Sequence, residues 1–133
     1  MRRVLREECD TQVFAQELSS LFKPGSMVAL IGELGAGKTT FDRHFAQAVG
    51  ASTHVSSPTY VLCHEYPAPD FFIEHWDLYR LVESPEELFI PPGPQVLRFI
   101  EWADRFPEVA SLCDESIQFE LQEDGARLVQ WEK

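Results

Sequence analysis

LIGELGAGKTTF, residues 30–41, stands between an apolar run and a helical pattern. Gly32, four further residues, and then Gly37-Lys38-Thr39 fit the spacing G-x-x-x-x-G-K-[ST] of a phosphate-binding loop. The flanks agree. Residues 27–31 read as a short apolar strand, and KTTFDRHFAQAVG reads as a helix with Phe41, Phe45, Ala48 and Val49 on one face. Glycines let the backbone curl until successive N–H groups converge on an anion. The helix that follows adds the positive end of its dipole. Lys38 is placed to reach β- and γ-phosphates, the Thr39 hydroxyl to take one Mg2+ position, and Thr40 to bond an α-phosphate.

Working outward, EECDTQVFAQELSSLFKPG reads as an earlier helix. Phe14, Leu18, Leu21 and Phe22 share a face, Asp10 or Thr11 is placed to cap the start, and Pro24-Gly25 ends it. After the loop helix, Pro58 makes Ser57 extended. Residues 60–66 and a run ending near Asp77 then read as strands. SPEEL reads as a helix start with Pro85 in its first turn, and PPGP at 91–94 forbids a long helix. QVLRFIEW reads as a buried strand, ADRFPEVA as a short helix, and Asp124-Gly125 as the turn of a closing hairpin. Interleaved helices and strands with late antiparallel pairs predict an α/β, P-loop NTPase-like, three-layer domain on a mixed sheet, one domain over residues 1–133.

Composition narrows the function. The net charge of −11 argues against strong direct nucleic-acid binding, which depends on Lys and Arg neutralising phosphates. No apolar run approaches the roughly 20 residues of a membrane span, and MRRVLREECD lacks the apolar stretch of a secretory signal. Cys9, Cys63 and Cys113 form no CxxC pair. The expectation is a cytoplasmic protein with reduced thiols and no membrane contact.

Phosphoryl chemistry needs more than the loop: a carboxylate for Mg2+ and a group that positions the attacking water. Two acids stand at strand ends. Glu101 follows the apolar VLRFI, and Asp77 follows FFIEHW. Thr59, in SSPTY, lies where nucleotide switches sense the γ-phosphate. His75, two residues before Asp77, shares its strand face. Trp102 follows Glu101 and is placed to line the site. Arg80 is read as a salt-bridge residue or a stabiliser of developing charge.

GELGAGKTTF, SPTYVL, HWDLYRL…SPEEL and FIEWADR occur in one order from about Thr11 to Arg127, and together resemble the bacterial TsaE family. These are small ATPases required for making threonylcarbamoyladenosine in tRNA. The resemblance implies weak, Mg2+-dependent ATP hydrolysis and action with the proteins TsaB and TsaD. TsaD, with TsaB, transfers the threonylcarbamoyl group; the TsaE-like protein uses ATP to reset that complex. It implies that Gly35, Ala36, Gly37, Lys38, Thr39 and Thr40 hold ATP, that Thr39 and Glu101 serve Mg2+ with Asp77 close by, and that Thr59 senses the γ-phosphate. Lys38, Asp77, Glu101 and Thr59 are then the catalytic set, and Glu8 or Thr11 also approaches the nucleotide. The chain departs from the family pattern in its short, proline-rich FIPPGPQVL and in Ala103, where a proline is usual. Two other readings use the same loop: a small-molecule kinase, and a nucleotide-binding regulatory module without turnover.

Overall fold

A computed structural model describes residues 1–51 and 63–132. Seven strands form one mixed sheet: β1 (Arg2–Leu5), β2 (Met27–Gly32), β3 (Cys63–Pro67), β4 (Phe72–Asp77), β5 (Val96–Glu101), β6 (Glu115–Leu121) and β7 (Arg127–Glu132). Their order is β1-β7-β6-β2-β5-β4-β3. The centre is parallel, with β2 between β5 and β6 and with β4 beside β5. The outer strands β1, β7 and β3 pair antiparallel. Ends of parallel strands collect loops on one edge, and the register here puts Asp77 opposite Glu101 and Glu101 opposite Leu30.

Alternation along the strands divides the core. Val28, Leu30, Phe99, Ile117 and Phe119 point to one face, under α1 (Glu8–Ser19) and α2 (Lys38–Ala48). Met27, Ala29, Trp76 and Ile100 point to the other. That second layer is thin: two 3₁₀ turns, Glu86–Phe89 and Ala103–Arg105, and α3 (Pro107–Ala110). Aromatic packing seats α2. The Phe45 ring meets Phe99 edge-on at 4.9 Å, and Phe41 lies 5.8 Å from Phe119 and 6.1 Å from Phe99. Such pairs add about 0.5–1.5 kcal/mol each beyond buried area, and they fix where the helix start lies over the strand ends.

Local chemistry adjusts several expected boundaries. Glu7, rather than Asp10 or Thr11, caps α1; Asp10 reaches back to accept from the amides of Arg6 and Glu7 at 2.9 Å each. α1 stops before Leu21 and Phe22, although Phe22 still packs in the core. SPEEL makes a single 3₁₀ turn and not an α-helix. Pro91 and Pro92 remove the amides that a longer helix would need. β1 has no counterpart in the sequence reading; it is made by pairing with β7. The late hairpin forms as expected, and Cys9, Cys63 and Cys113 are free thiols. Among the described residues, no helix is long and apolar enough to cross a membrane.

Candidate functional site

The loop between β2 and α2 is shaped by what surrounds its glycines. A Cβ on Gly32 would stand 2.5 Å from the Phe119 carbonyl oxygen, so no side chain fits there. Gly37 has φ of 110°, a left-handed conformation that side chains resist, and a Cβ there would lie 2.9 Å from Arg127 Cδ. α2 begins directly after Gly37, and no side chain caps it. The first amides of a helix have no intrahelical acceptor, so those of Lys38, Thr39 and Thr40 are left for a ligand.

These residues border a cleft of about 240 Å³ lined by Gly35, Gly37, Lys38, Thr39, Thr40, Asp77, Tyr79, Glu101, Trp102 and Arg127, with Leu34 at its rim. Lys38 is only 4 % exposed. Its ammonium donates to the Gly32 carbonyl and lies 3.6 Å over the Trp102 ring. Burial lowers its proton affinity, against the pull of Glu101, Asp104, Asp77 and Glu33, so a desolvated cation waits at the mouth of the loop. Trp102 reaches it through a strained backbone: φ is 63°, the only positive value at a non-glycine among the described residues. Tyr79 packs 4.8 Å from the Trp102 ring.

Glu101 closes the back of the cleft. Thr39 Oγ1 donates to its Oε2 at 3.0 Å, and His75 Nε2 hydrogen-bonds the same oxygen from the other side. Burial pushes the Glu101 carboxyl up, but His75, Thr39 and Lys38 together outweigh it and hold the group below the usual carboxylate range. His75 Nδ1 lies 3.2 Å from Asp42 Oδ2 and 3.4 Å from the Tyr66 hydroxyl. Burial opposes a charge on this imidazole, yet Asp42 and Glu101 prevail and raise it to about 8. Burial lifts Asp42 to about 6, with His75 opposing.

The donor set suits a magnesium nucleotide. No cluster of three or more His, Cys, Asp or Glu among the described residues is arranged to hold a metal unaided. Mg2+ commonly takes one or two carboxylates, completes its shell with phosphate oxygens and water, and needs no all-protein cage. Thr39, Glu101 and Asp77 line the cleft beside the start of α2 and carry the oxygen donors that such a partial shell requires.

Of the residues expected from sequence, Gly35, Gly37, Lys38, Thr39, Thr40, Asp77 and Glu101 meet at the cleft. Ala36 is fully buried beneath the loop. Glu8 does not line the cleft; its carboxylate takes Arg43 at 2.7 Å and His44 at 3.0 Å. Thr11 is buried in α1, also away from it. Thr59 lies outside the described residues. Arg80 is exposed. The sequence reading had no place for three participants: Asp42, Tyr79 and Arg127. Arg127 reaches from β7 to donate to the Gly35 carbonyl at 3.2 Å. Asp42 had a signal, since it follows Thr39 by three residues and so shares its side of α2.

Comparison with known proteins places the chain among relatives of one family. Residues 5–129 match the family model described as threonylcarbamoyl adenosine biosynthesis protein TsaE. The tRNA threonylcarbamoyladenosine biosynthesis protein TsaE of Rickettsia bellii is 35% identical over 130 residues, covering 94% of this chain and 90% of the relative. That of Aquifex aeolicus is 34% identical over 128 residues, covering 95% and 91%. The crystal structure of Bacillus subtilis YdiB superposes with a TM-score of 0.76 at 27% identity, covering 98% of this chain and 83% of that one.

Proposed function

The chain belongs to the TsaE family, and on that premise we propose that it is a Mg2+-dependent ATPase serving tRNA threonylcarbamoyladenosine synthesis alongside TsaB and TsaD. One observation carries the nucleotide reading. A glycine loop, a buried lysine, unpaired helix amides and two strand-end acids converge on a single cleft. In this reading the amides of residues 35–40 and Lys38 hold the phosphate chain, and Lys38 meets the charge that grows on it during transfer. Thr39 and Glu101 hold Mg2+, with Asp77 beside them. When bound, Mg2+ neutralises phosphate oxygens. Trp102 and Tyr79 wall the cleft and keep water from Lys38. The charge of −11 fits a protein that docks on a partner and does not itself grip tRNA. The site of action is the cytoplasm.

The test is Mg2+-dependent phosphate release from ATP by the chain alone and with TsaB and TsaD. Release that rises when the partners are added is the expected result. ATP binding and complex formation without release in either condition would leave a nucleotide-gated binding module. Transfer of phosphate to a small acceptor, and not to water, would make it a kinase.

A further inference from the structure

Glu101 has a long side chain with three rotatable bonds, and ordering such a chain costs conformational entropy that fixed partners must offset. Two contacts hold it: the Thr39 hydroxyl in front and His75 behind. If Thr39 turns its hydroxyl to a metal ion, the contact in front is given up. His75 is then what fixes the carboxylate. The imidazole is itself braced, 7 % exposed at the residue level, with Asp42 and Tyr66 against Nδ1.

The geometry closes on itself. Asp42 lies on α2 three residues beyond Thr39, so the chain of contacts leaves the helix at Thr39, crosses β5 and β4, and returns to the same helix. Asp42 is 2 % exposed, and its Oδ1 has no hydrogen-bond partner. A half-satisfied buried carboxylate is costly, and a leucine would pack there more cheaply. The cost is consistent with a role for the acid as a fixed brace.

We propose that His75, braced by Asp42, is a positioning residue that holds the Glu101 carboxylate towards Thr39, so that the metal of a bound nucleotide meets an oriented ligand. This inference rests on the nucleotide reading of the cleft. The two residues touch neither nucleotide nor metal; they act through Glu101. Groups behind a metal ligand typically change metal affinity by about 10–100-fold when removed.

The test is calorimetric titration of ADP into the full chain, with and without excess Mg2+. ADP is not turned over, so the ratio of the two affinities reads the metal's contribution apart from chemistry. Wild-type protein binds ADP more tightly with Mg2+. In His75→Ala the ratio falls by about tenfold or more, while Mg2+-free affinity, set by Lys38 and the loop amides, is retained. His75→Gln restores most of the ratio, because its amide nitrogen stands near the position of Nε2. An unchanged ratio in His75→Ala overturns the inference, and so does a His75→Gln ratio as low as that of the alanine variant. If His75→Ala does not fold, Asp42→Leu, which fills the same buried space without an acceptor for Nδ1, carries the test; a wild-type ratio there overturns the inference as well. Wild-type protein that fails to bind ADP, or binds it without regard to Mg2+, overturns the functional reading together with this inference.

Discussion

Asp77 and Glu101 end neighbouring strands and face each other in register, yet they live in different surroundings. Glu101 is 4 % exposed at the end of β5, a strand buried along nearly its whole length. It is fixed from both sides by Thr39 and His75. Asp77 is exposed, and its Oδ1 accepts from the Tyr79 amide at 3.0 Å, a turn contact that starts the next segment. Two acids that occupy equivalent places in the sheet are thus unequal in chemistry. The buried one is held in a single arrangement by its two partners. The exposed one faces solvent and is held through the backbone amide of Tyr79.

The contrast begins with the strands. Phe99, two residues before Glu101, packs against Phe22, Phe41 and Phe45, whereas Phe72 at the start of β4 is 46 % exposed. Phe99→Ala should cost about 3–5 kcal/mol of stability, and Phe72→Ala less than about 1 kcal/mol. Chemical denaturation of both variants measures this difference, and equal losses would break the contrast.

Next in size is the charge of Glu101. Glu101→Gln keeps shape and hydrogen-bonding capacity, so the fold should survive. Mg2+-dependent phosphate release should fall by about 100-fold, roughly 2.7 kcal/mol. A release assay at saturating ATP checks it.

The hold behind Glu101 should also appear as pH dependence. His75 is surrounded by Asp42 from α2, Glu101 from β5, Asp77 on its own strand, and His64 and Tyr66 from β3. Its proton is held to about pH 8 in the fold, against an ordinary 6.5. The resulting stabilisation is complete below pH 6.5 and is lost as the pH rises through about 8. It amounts to about 2 kcal/mol. Asp42 acts in a different window: its value is raised to about 6, so its ionisation costs stability between pH 3.8 and about 6. Melting temperatures should therefore drop by several degrees between pH 6.5 and 8.5, and His75→Gln should lack that drop.

The smallest effect belongs to the exposed acid. Asp77→Asn should lower phosphate release by about tenfold and change stability by less than about 0.5 kcal/mol. If its loss equals that of Glu101→Gln, the difference in burial has no chemical meaning.

The phosphate loop was readable because its physics is local. Gly32, Gly37, Lys38 and Thr39 act through backbone shape and side-chain type within eight residues. The central strands were readable from apolar runs, and the β6–β7 turn from Asp124-Gly125. What stayed hidden depends on distant partners. Arg2–Leu5 is too short and too charged to announce a strand, and becomes one by pairing with β7. An acid between Phe41 and Arg43 reads as a solvated helix position until β4 brings His75 against it. Arg127 looks like an ordinary hairpin residue, and meets Gly35 only because β7 lies near the loop. Glu101 and Asp77 were both legible as candidates; which one is held was not, since burial is a property of the finished sheet.

A crystal structure with ADP and Mg2+ bound would test the central claim most directly. The account predicts phosphates cradled by residues 35–40 and a metal on Thr39 and Glu101, with the His75–Glu101 contact kept and Asp77 in the outer position. A metal held by Asp77 with Glu101 turned away, or phosphates bound elsewhere, would contradict it.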